Sequence, residues 1–275
     1  MINRLVPLAL LALAGCQQEV AEGEPVSRIE IGKGEIKAKP SPKPKAVVAQ
    51  SPFRRVTFEG VPLTHCVADP TKHRIGTALG PPYRSIAALA AGLGDKAKTV
   101  SFAVNGGMFG DDGKPIGYYV EEGKRLKTLN RADGGGNFHL KPNGVFFGSG
   151  GQWRVMTSGD FYEKVADRPR FGTQSGPMLV IAGKLHPEFA EEGPSKLIRN
   201  GVGVDAGGRA HFVLSEAPVS FGRFARYFRD EARTPNALFL DGSVSALWDP
   251  VNNRRDETVP LGPLIVVTNK ATAKP

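Results

Sequence analysis

Asn236–Trp248 reads NALFLDGSVSALW, and its punctuation decides the fold. Ala237–Leu240 is an apolar run of the length a buried strand needs. It stops at Asp241-Gly242, a turn pair, and apolar residues resume at Val244 and Leu247. A carboxylate at the end of a buried strand, followed by a residue without a side chain, is presented to a pocket. The plainer alternative is that Asp-Gly closes a hairpin. Three earlier stretches share the design: NGGMF at 105–109, TQSGPMLV at 173–180 and IRNGVGVD at 198–205. In each, Gly and small polar residues adjoin an apolar run, as a backbone that approaches a ligand closely requires.

Working outward, the same alternation of short apolar runs and turns fills the chain, which has 34 Gly and 22 Pro in 275 residues. Strands are expected at Phe53–Ala68 with a turn at Gly60, and at Arg74–Leu79, Val100–Val104, Asn137–Leu140, Gly144–Phe147 and Gln152–Met156. Further strands are expected at Phe171–Ile181, Ala237–Leu240 and Leu264–Thr268, with hairpins joining Ile116–Val120 to Arg125–Leu129 and Gly201–Val204 to Ala210–Leu214. Ser85–Leu93 has apolar residues at helical spacing, a Ser cap and Gly94 behind it. Phe221–Arg233 is amphipathic, with Phe221, Phe224, Ala225 and Phe228 on one face and arginines on the other. No repeat is visible. The reading is α+β: a single domain over 51–270 with a central mixed or antiparallel sheet of many short strands and a few flanking helices, then a 271–275 tail.

The N-terminus reads as an address. Arg4 precedes the apolar run Leu5–Leu13, too short to span a bilayer, and Leu13-Ala14-Gly15-Cys16 resembles a bacterial lipobox. Residues 1–15 are then a lipoprotein signal peptide and Cys16 the lipidated residue, with an ordinary signal peptide as the alternative. Residues 16–50 read as a flexible tether, Pro- and Lys-rich at KPSPKPK, 39–45. The implied location is the bacterial cell envelope, lipid-anchored and periplasmic or surface-exposed; Gln17 beside Cys16 favours outer-membrane over inner-membrane sorting. Cys66 would be the one remaining thiol, so no intramolecular disulfide can form. It reads as a small apolar strand residue, not as half of a nucleophilic pair with His65.

A formal charge of +9 invites nucleic acid as a partner. The basic residues are scattered, however, and no nucleic-acid motif is present, so an anionic substrate or envelope polymer fits better. Ser175 does not sit in a GxSxG elbow, and no sequence spacing brings His139, His186 or His211 beside it. HExxH, paired Cys and DxDxDG patterns are all absent, and Asp111-Asp112-Gly113 reads as a solvated turn. No cofactor is therefore expected, with Ca²⁺ or another divalent ion left open. What remains is the polar set beside the Gly turns: Asn105, Gln174, Ser175, Arg199, Asn200, Asp205, Asp241 and Ser243. Asp, Arg and Asn with many backbone N–H groups suit a sugar joined to an anion, and Arg suits phosphate through its fork of donors.

Taken in order, NGGMF, KPNGVFF at 141–147, QSGPMLV, RNGVGVD and ALFLDGSVSALW resemble the phosphodiester glycosidase domain family from about His65 to Val267. Members of established chemistry commonly carry an LDGGGS-like segment where this chain has LDGSVS, a departure resembling a bacterial subgroup. The resemblance implies hydrolysis of the sugar C1–O bond in a sugar-1-phosphodiester of envelope or exogenous glycan, with a phosphorylated glycan and the membrane as partners. A leaving phosphate is weakly basic, so a cation can replace much of an acid's role. On this reading Asp241, then Asp205, is the carboxylate, and Arg199 is the cation. Asn105, Gly106, Gly107, Gln174, Ser175, Gly176, Asn200, Gly242 and Ser243 contact substrate. Each has a structural alternative: Asn105 as a cap of the Gly-Gly turn, Arg199 as an ion-pair partner of Asp205 or Asp241. The rival reading is a non-catalytic glycan-binding lipoprotein of the same fold.

Overall fold

A computed structural model describes residues 52–80, 84–257 and 259–271. The expected signal peptide at 1–15, Cys16, the expected tether to residue 50 and nearly all of the expected 271–275 tail lie outside the described residues. No described helix is long and apolar enough to cross a membrane.

Apolar runs too short for helices are here strands, and among the described residues seventeen of them pair into three sheets, all antiparallel. The largest has seven strands in the order Phe53–Phe58, Val61–Ala68, Ala210–Ser215, Asn200–Val204, Asn236–Phe239, Met178–Ile181, Lys184–Leu185. The second runs Arg254–Arg255, Leu247–Asp249, Val100–Asn105, Leu264–Asn269, His73–Ala78. The third runs Lys124–Lys127, Tyr119–Glu121, Phe171–Ser175, Gly144–Ser149, Gln152–Thr157. Three α-helices flank them, and the α+β class is as expected.

The seven-stranded sheet is covered on both faces, which explains why Ala237–Leu240 is apolar without alternation. On one face Leu238, Val202 and Phe212 meet the other two sheets; the Phe212 ring lies 5.4 Å from Phe102 of the second sheet and 5.8 Å from Phe146 of the third. On the other face Ala237, Phe239, Val213 and Leu179 pack under Phe224, Tyr227 and Phe228. Ile86 and Leu89 of the Ser85-capped helix Ile86–Leu93 close the outside of the second sheet. Cys66 is fully buried in the core between sheets, where burial pushes its thiol pKa well up, while His65, the preceding strand residue, faces the other way.

Three local expectations differ from the structure, and one helix was not expected. Phe171–Ile181 is two strands in different sheets, because Pro177 has no N–H to continue a ladder and the chain leaves the third sheet for the first at Gly176-Pro177. Asn137–Leu140 holds a 3₁₀ turn over Asn137–His139 that returns the Leu140 N–H to the Asn137 carbonyl. The helix from Phe221 is α only to Arg226; Tyr227–Glu231 widens to π, and Thr234 takes the Phe228 carbonyl with both N–H and hydroxyl. Ser158–Lys164 is a helix the periodicity did not signal, started by Thr157, whose hydroxyl accepts the Asp160 N–H.

Under that π segment lies a closed polar chain. Tyr227 OH is 2.7 Å from His65 Nδ1, His65 Nε2 is 3.0 Å from His211 Nδ1, and His211 Nε2 is 3.1 Å from Asp205 Oδ2. One set of neutral tautomers satisfies it, each group donating to the next, down to the carboxylate. Burial drives His65 down to about 3 and lowers His211 as well.

Folding thus holds both imidazoles neutral, whereas the unfolded chain protonates them near 6.5. The unfolded state binds more protons below that pH, so stability is lost as pH falls from about 6.5 toward about 3. Asp205 and Glu216, held low by their hydrogen bonds, add to the same trend, and Asp241, raised by burial, opposes it. The urea midpoint of the full-length protein should fall steadily between pH 7 and pH 4. His65→Gln should flatten that slope; an unchanged slope in the variant would show that the histidine chain does not set it.

Candidate active site

Three of the four glycine stretches are corners where the chain crosses between sheets. Asn105–Gly107 leaves the second sheet toward the third, Ser175–Pro177 leaves the third for the first, and Asp241–Gly242 leaves the first for the second. The fourth, at Arg199-Asn200, is where the chain enters the strand beside Asn236–Phe239.

The Asn105 amide ties the corners together. Its Nδ2 donates to the Asp241 carbonyl at 2.7 Å, and its Oδ1 accepts from Asn200 Nδ2 at 2.7 Å and from the Ala246 N–H at 3.0 Å. The Asp241 N–H donates to the Gly106 carbonyl at 3.2 Å, and the Leu240 N–H to that of Asn200 at 3.0 Å. Gly106 donates its N–H to Pro263 at 2.7 Å. The Gly107 N–H reaches Thr173 Oγ1 at 3.1 Å, and a Cβ at Gly107 would lie 2.1 Å from the Gln174 carbonyl oxygen. A Cβ at Gly242 would lie 2.8 Å from the Ile198 carbonyl oxygen. Small residues are therefore needed for the corners to touch at all.

Asp241 is fixed by its backbone and presents its carboxylate. Oδ1 accepts from the Ser243 hydroxyl at 2.6 Å and from the Ser243 N–H at 3.3 Å, capping the turn Gly242–Val244. Oδ2 accepts no hydrogen bond among the described residues. Burial raises this pKa, and the Ser243 bonds offset only part of that. Ser175 Oγ, Asn200 Oδ1 and His186 Nε2 are buried without hydrogen-bond partners among the described residues. Buried polar atoms are nearly always paired, so the orphans at two strand ends, Ser175 and Asn200, are candidate ligand contacts; the Asn200 carbonyl accepts the N–H of Leu240, the residue before Asp241.

The remaining residues divide. Gln174 is fully engaged: Oε1 accepts from the N–H groups of Tyr118 and Asn130, while Nε2 donates to the Asn130 carbonyl and to Ser158 Oγ. Gly176 follows Ser175 at the crossing, and the Pro177 carbonyl accepts the Phe239 N–H. Arg199 is 1% exposed. Nε donates to the Val219 carbonyl and Nη2 to Ser195, and the guanidinium lies 3.4 Å from the Phe221 ring centroid. It forms an ion pair with neither Asp205 nor Asp241, and burial alone brings its pKa down to about 10. Asp205 lies past the far end of the strand Asn200–Val204, roughly 16 Å from Asn200 at about 3.3 Å per residue. There it is held by Arg209 and His211. Sequence reading did not single out Asn143 or Thr173, which brace the Ser175 and Gly107 corners. Asn143 donates to the Phe138 carbonyl and accepts from Ser158, and the turn pair Asn143-Gly144 was its signal. No group of three His, Cys, Asp or Glu with metal-holding geometry occurs among the described residues.

Residues 98–268 match the family model for phosphodiester glycosidase. An uncharacterized Escherichia coli (strain K12) protein, YigE, is 34% identical over 171 residues, a match covering 62% of this chain and 66%, just under two thirds, of that protein. The fold is similar to the catalytic domain of zebrafish N-acetylglucosamine-1-phosphodiester alpha-N-acetylglucosaminidase auto-inhibited by its pro-peptide. That likeness has a TM-score of 0.53 at 13% identity and covers 79% of this chain and 81% of that one. It is also similar to a putative exported protein of Burkholderia pseudomallei K96243, with TM-score 0.51 at 11% identity over 76% and 74% of the two chains.

If Asn105 holds the corners, Asn105→Ala should cost about 2–4 kcal/mol, since it strands the Asn200 amide and the Ala246 N–H. Gly107→Ala should cost about 1–3 kcal/mol or more by forcing the Gln174 peptide away. Gly135→Ala, where a Cβ meets nothing within 4 Å, is the control and should be neutral. Denaturant titrations of the three variants measure this.

Proposed function

The chain belongs to the phosphodiester glycosidase family, and from that premise we propose that it hydrolyses the C1–O bond of a sugar-1-phosphodiester, with Asp241 as the working carboxylate. The observation that carries this reading is the partly desolvated Asp241 carboxylate, one oxygen held by Ser243 and the other unengaged, at a corner that Asn105 ties to Asn200.

Water attacks C1 as the bond from C1 to the phosphate oxygen breaks. The products are a free sugar and a phosphomonoester, whose departing oxygen needs little protonation. Asp241 takes the proton of the attacking water. A base works best when its pKa approaches the working pH, and burial moves Asp241 in that direction. Ser175 and Asn200 supply the free acceptors for sugar hydroxyls. Asn105 and Gln174, whose amides are committed to the protein, position the corners instead.

Arg199 adds a charge without a carboxylate partner to the strand end next to Asn200, and such a cation favours an anionic substrate. Its Nε and Nη2 are bound to neutral acceptors, which hold the guanidinium in place without cancelling its charge. Asp205, held at the far end of its strand, is not needed for this mechanism. The Leu13–Cys16 motif supports a lipid-anchored enzyme meeting its glycan in the cell envelope.

The test is turnover of α-linked N-acetylglucosamine, N-acetylgalactosamine and glucose 1-phosphodiesters by the full-length protein, with and without EDTA. Free sugar and phosphomonoester should appear in both arms. Asp241→Asn should lower the rate at least ~100-fold, within the span of acid–base catalysis. Wild-type kcat/KM should fall on acidification with an apparent pKa above the ordinary aspartate value of 3.8. Unchanged turnover in Asp241→Asn would remove Asp241 from the mechanism, and no release from any diester would remove the activity.

A further inference from the structure

The third sheet carries a feature the glycosidase reading does not use. A cleft of about 480 Å³ opens between the Tyr119–Lys127 hairpin and the Ser158–Lys164 helix, lined by Arg125, Arg131 and Arg168 with Tyr118 and Tyr162. None of the three arginines forms an ion pair among the described residues, whereas Arg170, Arg223, Arg226 and Arg254 each hold a carboxylate of a neighbouring element. The lining includes one acid, Asp167, which leaves an excess of two positive charges. Arg125 and Arg168 line the cleft with Tyr118, whose phenol pKa is raised by burial, an effect the two cations partly offset. Arg131 stacks on Tyr162, its guanidinium carbon 4.2 Å from the ring centroid. Tyr162 is 64% exposed, the most exposed large apolar side chain of the described residues.

We propose that this cleft is a second ligand site, separate from the Asp241 corner, that takes a phosphorylated carbohydrate. Three guanidiniums around one cleft, with Asp167 the one carboxylate in the lining, favour an anion there, and the guanidinium fork matches phosphate oxygens. An exposed tyrosine ring at the mouth offers an apolar face to the C–H face of a sugar and a hydroxyl to its edge. The volume lies within the range of small-molecule pockets and holds one or two sugar units. Single-stranded nucleic acid also combines phosphate with stacking, but it needs a groove with successive rings, and this cleft exposes a single ring at its mouth.

The cleft is wired to the catalytic corner. The Gln174 amide holds the backbones of Tyr118 and Asn130, which border the cleft, while the Gln174 carbonyl packs against Gly107. Asn105, Ser175, Asn200 and Asp241 are not among its lining residues. The site would hold a phosphate-bearing part of a glycan at a distance from the bond being cut.

Calorimetric titration of the full-length protein tests this with glucose 6-phosphate, which has no C1 phosphodiester and so gives a readout independent of turnover. Glucose 6-phosphate should bind more tightly than inorganic phosphate, and glucose weakly or not at all. Arg125→Gln/Arg168→Gln should weaken glucose 6-phosphate at least ~10-fold, as expected for the loss of charge-assisted bonds. Tyr162→Ala should remove its advantage over inorganic phosphate, and Asp241→Asn should leave binding unchanged. Three results would overturn the proposal: no binding of glucose 6-phosphate, binding lost in Asp241→Asn but kept in the arginine variant, or tighter binding of an oligothymidylate than of the sugar phosphate.

Discussion

Three hydrogen bonds from one side-chain amide hold the working end of this molecule together. Asn105 ends a strand of the second sheet, yet its amide reaches Asn200 and Asp241, which flank strands of the first, and returns to Ala246 on the way back into its own sheet. Sheets that only pack face to face can slide; sheets joined by directed bonds at their corners cannot. The glycines follow from the same constraint, since at Gly107 and Gly242 a neighbouring carbonyl occupies the space a Cβ would need. The corner is dense in backbone and poor in side chains, and Ser175 Oγ and Asn200 Oδ1 are left without hydrogen-bond partners among the described residues.

Charge follows a related logic. Seven arginines of the described domain sit in ion pairs, and the exposed ones, such as Arg170 with Glu122, are each worth little. Arg199 is different: buried, stacked on Phe221 and bound only to neutral acceptors. A buried cation without a counterion is costly unless function repays it. On the proposed reading, Arg199 and the partly desolvated Asp241 together favour an anionic substrate. The three unpaired arginines around Tyr118 and Tyr162 repeat that bias on another surface.

Much of this was legible in the sequence. Short apolar runs set by Gly and Pro gave nearly every strand, and Ser85 and Gly94 bounded a helix as capping predicts. Three of the four glycine stretches proved to be corners, because a crossing between sheets demands the same small residues as close approach to a ligand. What stayed hidden was which runs share a sheet. Phe171–Ile181 looks continuous because both halves are buried, and only Pro177 hinted that it serves two sheets. Asp205 and Asp241 look equivalent, each an acid after an apolar run. The antiparallel pairing of Asn200–Val204 with Asn236–Phe239 sends their ends in opposite directions. The Tyr227–His65–His211–Asp205 chain joins residues up to 162 positions apart, and no local spacing could announce it.

The central claim is that this corner breaks a sugar–oxygen bond and not a phosphorus–oxygen bond. An Asp base aimed at water and a cation toward phosphate would suit either outcome in outline, so the position of cleavage is decisive. Hydrolysis of a sugar-1-phosphodiester in ¹⁸O-labelled water, with both products weighed by mass spectrometry before the sugar exchanges its label, reads it directly. The account predicts ¹⁸O in the released sugar and none in the phosphomonoester. Label in the phosphomonoester would mean attack at phosphorus, and the chain would then be a phosphodiesterase built on a glycosidase fold.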